Sequence, residues 1–167
     1  MENKKNNFEL MTLEELNAEA LKDSAEANIQ LARRYLLGEG VQADTEKYMQ
    51  HLSRAAELGS VKAQVTLGAE YKYQLKNYLE AVKWFARAAE SNYAPAQYML
   101  GYCYLQGSGV EQNTDRGIEL LKKSAEQNDI CACRELSRCY EEGKWVETDL
   151  KEASKWLKKC RSLKQSG

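Results

Sequence analysis

The chain has 167 residues, of which 43% are hydrophobic and 29% are charged, and its formal net charge is −1. This balance excludes a disordered or membrane-embedded chain, and the absence of a basic excess argues against a nucleic-acid-binding protein. Without an apolar run long enough for a signal peptide or a membrane span, the sequence predicts a cytoplasmic protein with no membrane insertion. A single proline and an abundance of Ala, Leu, Glu, Lys and Gln favour an all-helical fold.

The first predicted element is a short capping helix over residues 12–22. Thr12 and Glu15 stand at the spacing of a capping box, in which the two side chains satisfy free N–H groups at a helix start. The helix is expected to cover one end of a repeat array, because the terminal units of such arrays need a polar outer face. Residues 1–11 carry no comparable pattern, so we expect them to be flexible.

Four units of similar length follow, and columns of recurring residues identify them. A tyrosine recurs at spacings of 36, 33 and 36 residues, at Tyr35, Tyr71, Tyr104 and Tyr140. Four positions before it comes a leucine column, and eight positions before it an alanine column: Leu31, Leu67, Leu100, Leu136 and Ala27, Ala63, Ala96, Ala132. Positions i, i+4 and i+8 share one helix face, so these columns predict a buried stripe on the first helix of every unit. A bulky column marks the second helices, at Leu52, Phe85, Leu121 and Leu157.

Each unit is predicted to be a helix, a turn and a helix. The turns of the first and third units carry paired glycines, Gly38 with Gly40 and Gly107 with Gly109. Glycine ends a helix there because it takes positive φ at low steric cost. The fourth unit keeps only Gly143, and the second has no turn glycine. The predicted boundaries are a single domain over 12–163, with repeats at about 24–59, 60–92, 93–128 and 129–163, and a tail at 164–167.

Other local signals mark helix starts and one helix crossing. Asn77 and Asp149 are predicted N-caps, and Pro95 suits the first turn of a helix. Gly117 stands inside a helix where two other units have alanine. Glycine there costs about 0.5–1 kcal/mol relative to alanine, a cost that a close helix crossing would offset.

The reactive side chains do not form a chemical motif. Five cysteines lack the spacing of a disulfide framework and predict free thiols in a reducing compartment: Cys103, Cys131, Cys133, Cys139 and Cys160. The side chains of Cys131 and Cys133 diverge by about 200° on a helix, so they cannot complete one tetrahedral metal site. His51, the only histidine, lies in a packing column. The sequence therefore predicts no metal, no cofactor and no catalytic residue, and a protein that is not an enzyme.

Two runs resemble the Sel1-like repeat: residues Leu100–Val110, which read LGYCYLQGSGV, and residues Glu80–Glu90, which read EAVKWFARAAE. The resemblance covers about residues 24–163. The second unit departs from the pattern by lacking the turn glycines, and the fourth has Cys160-Arg161 in place of a double alanine. The resemblance implies a right-handed α/α superhelix, a tetratricopeptide-like solenoid whose first helices line a concave groove. It also implies a protein-interaction scaffold or adaptor.

By analogy with tetratricopeptide grooves, seven side chains are expected to face the concave surface: Arg33, Leu36, Lys72, Tyr98, Tyr102, Arg134 and Arg138. Tyrosine and arginine dominate binding hot spots, and arginine grips a carboxylate with two parallel hydrogen bonds. The expected partner is another protein, or an extended peptide with acidic and apolar groups. The same side chains also fit ordinary solvated or packing faces. Two other functions stay open: a solenoid that binds or acts on a small molecule or cell-wall fragment, and a thiol-based sensor.

Overall fold

A computed structural model describes residues 8–165 of the chain. Within that range it contains nine α-helices and no β-strand, which confirms the predicted all-α class. None of the helices described combines the length and the apolar character that crossing a membrane requires. A 3-10 turn at Phe8–Leu10 comes first. The helices are α1 (Leu13–Ala20), α2 (Ala25–Leu37), α3 (Thr45–Glu57), α4 (Val61–Tyr73), α5 (Tyr78–Glu90), α6 (Ala94–Gln106), α7 (Thr114–Glu126), α8 (Ile130–Glu142) and α9 (Leu150–Gln165).

Each predicted repeat holds one pair of helices, from α2–α3 to α8–α9. The chain divides into two compact units, Met1–Leu67 and Gly68–Gly167, and the division falls within α4. Such a division fits a repeat architecture, because helix pairs in such arrays contact mainly their immediate neighbours. The single domain expected over 12–163 stays a prediction.

In the first unit, α1 packs against α2, and α2 packs against α3. Leu16, Ala27 and Leu31 are fully buried in one cluster, and Phe8 and Met11 pack against it. The N-terminal helix is therefore held by the same apolar stripe that the leucine and alanine columns predicted on α2.

Helix α1 begins as predicted and ends earlier. The Thr12 hydroxyl accepts a hydrogen bond from the Glu15 N–H at 3.2 Å, and the Thr12 N–H donates to Glu15 Oε2 at 2.7 Å, which confirms the capping box. The helix stops at Ala20, not at residue 22, because Asp23 takes a left-handed φ of 60° and turns the chain into α2. Of the segment 1–11 that was predicted to be flexible, residues 8–10 form the 3-10 turn, and residues 1–7 lie outside the described residues.

In the second unit, the helices from α5 to α9 each pack against the next one along the chain. Fully buried side chains fill the space between them, among them Phe85, Leu105, Leu121 and Leu136. Helix α9 runs to Gln165 and so includes residues 164 and 165 of the predicted tail, since the sequence Leu-Lys-Gln at 163–165 forms helix well and contains no stop signal. Residues 166–167 lie outside the described residues.

The alanine and leucine columns of the first helices are buried as predicted, whereas the tyrosine column and Leu157 are only partly buried. Every member of the alanine and leucine columns is at most 5% exposed, and the tyrosines of the third column are half-buried. In the second helices, Leu52, Phe85 and Leu121 are buried, whereas Leu157 is 37% exposed. No described helix covers the side of α9 on which Leu157 lies, and the buried side of α9 consists of Ala153, Trp156 and Cys160.

Helices α6 and α7 cross closely at two glycines. A Cβ atom on Gly101 would stand 2.9 Å from the carbonyl oxygen of Gly117. A Cβ atom on Gly117 would stand 2.7 Å from Cγ and Cδ2 of Leu105 and 3.0 Å from the carbonyl oxygen of Gly101. The close crossing predicted at Gly117 is therefore confirmed, and only glycine fits both positions without displacing a neighbour.

The turns of the first and third repeats carry equivalent glycines in different surroundings. Gly40 and Gly109 both take left-handed backbone conformations, with φ of 71° and 74°. No described atom lies within 4 Å of the place where a Cβ atom of Gly40 would stand. A Cβ atom on Gly109, in contrast, would collide with the backbone carbonyl of Tyr78. The turn of the third repeat therefore lies directly against the start of α5.

Candidate functional site

The seven predicted groove residues fall into two groups, one in each unit. Arg33 and Leu36 belong to the first unit. The second unit holds Lys72, Tyr98, Tyr102, Arg134 and Arg138. Each group is associated with a distinct surface feature.

In the first unit, a pocket of about 290 Å³ opens among α2, α3 and α4. We call it the apolar pocket. Its apolar lining consists of Ile29, Ala32, Leu36, Tyr48, Leu52 and Ala63, and its polar lining of Glu26, Arg33, Lys62 and Thr66. Leu36 is 52% exposed, and the exposed Arg33 guanidinium lies 3.5 Å from Glu39 Oε1. The pocket thus combines an apolar floor with cationic side chains that solvent reaches.

Of the seven predicted groove residues, Arg33 and Leu36 line this pocket. The other lining residues come from α2, α3 and the start of α4, and they meet only because three helices pack around one space. A column alignment treats each helix separately, so it carries no signal for a pocket of this kind.

In the second unit, the rings of Tyr98, Tyr102 and Trp145 form a contiguous surface that we call the aromatic cluster. The ring centroids of Tyr98 and Tyr102 are 6.3 Å apart, with planes tilted by 31°. The centroids of Tyr102 and Trp145 are also 6.3 Å apart, and their planes meet edge-on at 83°. Offset and edge-on pairs are the favourable arrangements for aromatic rings. All three residues are half-buried, so part of each ring remains accessible.

Trp145 occupies its place in the aromatic cluster with an unusual backbone. It follows Gly143 by two residues, as Gly40 follows Gly38 and Gly109 follows Gly107, and its φ of 66° is left-handed like theirs. This conformation costs a side-chain-bearing residue about 1–2 kcal/mol, and a bulky residue rarely adopts it. Trp145 was not among the predicted groove residues, although the tryptophan in place of the second turn glycine was the signal that could have found it.

Lys72 lies beneath the aromatic surface, not on it. Its side chain is only 6% exposed. The ammonium nitrogen is 5.1 Å from the ring centroid of Tyr102 and 5.4 Å from that of Tyr73, and 3.9 Å from Cys103 Sγ. The sequence predicted an open groove position for Lys72. The structure differs because the long side chain packs against the two tyrosine rings, which attract a cation.

The two arginines of α8 are in different states. Arg138 Nη2 lies 2.6 Å from Glu135 Oε1, and the Glu135 side chain is 12% exposed, so the ion pair is held against the protein surface. Arg134 is exposed and forms no ion pair with any residue in the described range 8–165. Of the two arginines of α8, Arg134 is therefore the one whose guanidinium is available to a partner.

Tyr98 remains protonated under all physiological conditions. Burial, with smaller contributions from neighbours that include Cys131 and Glu135, raises the pKa of Tyr98 to about 12. Its hydroxyl therefore offers a hydrogen bond donor beside the aromatic rings.

The cysteines are free thiols, and only Cys131 is exposed. Burial raises the pKa of the thiols of Cys103 and Cys133, and raises that of Cys139 to about 11. A reactive thiol needs a lowered pKa and access to solvent, so these side chains do not favour the thiol-based sensor. In residues 8–165 no group of three or more His, Cys, Asp or Glu side chains is placed to hold a metal ion.

A pocket of about 600 Å³ in the second unit has mixed charge. Its charged lining consists of Lys122, Lys155, Lys159, Glu126, Asp149 and Glu152. The ammonium of Lys155 lies 3.0 Å from Glu152 Oε1, and the carboxylate of Asp149 caps α9 by accepting from the Glu152 N–H at 3.0 Å. Lys155, Glu152 and Asp149 are thus engaged within the protein, so the pocket does not favour the alternative of a small-molecule site.

His51 has a packing role. Its ring stacks on Tyr35 with centroids 5.6 Å apart, and its Nδ1 lies 3.0 Å from Asn28 Oδ1. Burial and the nearby Lys47 lower the pKa of the imidazole below its ordinary value.

The chain is similar to several known proteins. It is 36% identical over 88 residues to an uncharacterized protein of Neisseria meningitidis serogroup B, a match that covers 53% of this chain and 18% of that relative. Two solved structures share its fold. One is a protective antigen of uropathogenic Escherichia coli with an SLR fold, 29% identical with a TM-score of 0.83, covering 91% of this chain and 33% of that one. The other is a Sel1 repeat protein from Oxalobacter formigenes, 28% identical with a TM-score of 0.74, covering 87% and 59%.

The chain therefore spans about a fifth of the length of the Neisseria relative and a third to three fifths of the two solved chains. The family model of the Sel1 repeat matches residues 25–60, 61–93, 94–129 and 132–159. These matches follow the four helix pairs and, with the structural likeness, establish that the chain belongs to the Sel1 repeat family.

Proposed function

We propose that this chain is a protein-interaction module that binds partner proteins, without catalysis, and that the aromatic cluster and the apolar pocket are each a contact surface in their own unit. Sel1 repeat proteins are generally scaffolds for protein interactions. The proposal concerns which surfaces of this chain bind a partner and what kind of partner they bind.

The left-handed backbone of Trp145 is the observation that carries the proposal. Backbone strain persists only where the surroundings compensate for it, and it concentrates at functional sites. Here the strained residue places a large ring edge-on against Tyr102, at the surface. Tryptophan and tyrosine are the residues most enriched among binding hot spots. A glycine would hold the turn at lower cost, so the tryptophan is best explained by a contact that its ring makes with a partner.

The apolar pocket is a second contact. Its volume of about 290 Å³ lies just below the range of about 300–1,000 Å³ that small-molecule sites occupy. It suits one large apolar side chain of a partner, with Arg33 and Lys62 near its opening to receive carboxylates. We therefore favour a protein segment over a small molecule as the occupant.

The test uses Trp145→Gly, which restores the residue found at the same turn position in two other repeats. We expect the free energy of unfolding to change by less than about 1 kcal/mol, because relief of the left-handed strain offsets the lost partial burial of the ring. Affinity for the partner is expected to fall by about thirtyfold or more, as for the loss of a hot-spot residue. Partners are first identified by cross-linking in the source organism, and the affinity of the purified partner is then measured by calorimetry.

A double variant, Tyr98→Ala with Tyr102→Ala, removes the remainder of the aromatic cluster and is expected to abolish binding. Tyr78→Ala is the matched control, since Tyr78 is an exposed tyrosine, at 43%, outside the aromatic cluster. If the purified partner binds Trp145→Gly and the double variant as tightly as it binds the unchanged chain, the aromatic cluster is not the binding surface and the proposal is wrong.

A further inference from the structure

Lys72 is a buried cation without a carboxylate partner. Its side chain is 6% exposed, and no carboxylate in residues 8–165 lies within 4 Å of its ammonium. Lysine is almost never buried without a paired charge, because an ammonium group that leaves water loses its hydration. Two tyrosine rings and a thiol replace that hydration only in part.

The fold itself does not need a lysine at this position. The equivalent residues of the first and third repeats are Leu36 and Leu105, and Leu105 is fully buried in the core of the second unit. The repeat architecture thus accepts an aliphatic side chain at this place. Lys72 therefore costs stability without a structural requirement, and such a residue is best explained by an interaction that the isolated chain does not make.

The position of the ammonium indicates what that interaction is. It contacts the ring of Tyr102, the central member of the aromatic cluster, and the ring of Tyr73, which is 56% exposed. The charge therefore lies directly beneath rings of the surface assigned to the partner, in surroundings of low polarity where attraction between opposite charges is strengthened.

We propose that Lys72 selects partners by receiving the side-chain carboxylate of an Asp or Glu in an extended segment whose neighbouring apolar side chain lies on the aromatic cluster. This inference rests on the proposed function. In an extended chain, a side chain two residues further along points to the same face and lies about 7 Å away. The motif is thus an acidic residue and an apolar residue separated by one position.

A side-chain carboxylate fits better than the carboxylate of a chain terminus. Proteins capture chain termini with nests of backbone N–H groups. Lys72 lies in the last turn of α4 and Tyr102 in the middle of α6, where backbone N–H groups are already engaged in helix hydrogen bonds. The point charge of a single ammonium is the donor that this site offers.

The experiment uses a phage-displayed library of random dodecapeptides selected on the whole chain. We expect enrichment of the acidic–apolar motif at the stated separation. The best synthetic peptide is expected to lose affinity by about thirtyfold or more against Lys72→Met. When the acidic residue of the peptide is replaced by its amide, its affinity for the unchanged chain should fall by a similar factor. Its affinity for Lys72→Met should change little. Lys122→Met is the matched control, because the ammonium of Lys122 also lies over a tyrosine ring, 5.7 Å from the centroid of Tyr140.

A second readout separates recognition from a structural role. Removal of a buried unpaired charge is expected to stabilise the fold, so the melting temperature of Lys72→Met should rise by about 2–4 °C for each kcal/mol gained. A fall in melting temperature would show that Lys72 supports the fold, and it would overturn the inference.

The outcomes distinguish this inference from the proposed function. One outcome overturns the inference alone. In it, the selected peptides show no acidic preference and bind Lys72→Met as tightly as the unchanged chain, but they do not bind the Tyr98→Ala, Tyr102→Ala variant. A library that yields no peptide, or only peptides indifferent to the aromatic cluster, overturns both. Self-association detected by ultracentrifugation and abolished by Lys72→Met would make a second copy the occupant and would also overturn the inference.

Discussion

The crossing of α6 and α7 provides a test in which two effects of opposite sign compete at one residue. Gly117→Ala adds a single methyl group inside a helix. On helix propensity alone the change is expected to stabilise the protein, by about 1 kcal/mol. On packing it is expected to destabilise, because the new Cβ atom would stand 2.7 Å from the Leu105 side chain and 3.0 Å from the carbonyl oxygen of Gly101.

The packing effect is expected to win. Leu105 is fully buried, so its side chain has no free space to move into, and the carbonyl of Gly101 belongs to the backbone of α6. Overpacking of a tight core costs about 1–3 kcal/mol. After subtraction of the propensity gain, we expect Gly117→Ala to lower the free energy of unfolding by up to about 2 kcal/mol.

Urea unfolding followed by far-UV circular dichroism measures the effect as a shift of the midpoint at constant slope. The control is Gly117→Ala in the background of Leu105→Ala, where the cavity accepts the new methyl group. In that background, Gly117→Ala is expected to lower the midpoint less than in the unchanged chain, because the clash with the Leu105 side chain is gone and only the contact with the Gly101 carbonyl oxygen opposes the propensity gain. A midpoint that rises in the unchanged background would refute the reasoning, since it would mean that the helices are not in contact at Gly117.

Two further predictions concern ionisation and thiol access. The lowered pKa of His51 means that the unfolded chain binds more protons than the folded chain between the folded-state pKa and the ordinary value of 6.5. The contribution of His51 to the free energy of unfolding is therefore fully present above pH 6.5 and is lost as the pH falls through this window. The urea midpoint of His51→Gln should not show this part of the pH dependence. For the thiols, a chromogenic disulfide reagent is expected to react rapidly with Cys131 alone in the folded chain and with all five cysteines in urea; rapid reaction of several thiols without urea would contradict the described burial.

Much of the fold could be predicted because it depends on local pattern. The leucine and alanine columns report a helix face, and a helix face follows from spacing alone, which is why residues such as Leu31 and Ala96 are buried as predicted. The capping box of Thr12 and the N-caps at Asn77 and Asp149 are likewise local, since each joins residues three positions apart. Gly117 indicated a close contact between helices, because glycine inside a helix lowers stability relative to alanine and the sequence offered no other reason for it.

The candidate site was only partly predictable because it depends on packing and on backbone conformation. Lys72 was placed in an open groove from its repeat position, but its flexible side chain is long enough to fold against two rings. The left-handed φ of Trp145 was indicated only by its alignment with Gly40 and Gly109, because tryptophan itself rarely takes that conformation. The apolar pocket arises where three helices meet, and spacing along one helix contains no information about it.

Gly40 and Gly109 occupy the same position of the repeat motif, but glycine is required there for two different reasons. At Gly40 the requirement is torsional only, so asparagine or aspartate, which tolerate left-handed backbone, would meet it. At Gly109 the requirement is also clearance, because the carbonyl of Tyr78 occupies the space that any side chain would enter. A consensus sequence of the repeats shows glycine at both positions and does not distinguish the two reasons for it. Replacement of Gly40 is therefore expected to affect only its own turn, whereas replacement of Gly109 is expected to displace the start of α5 as well.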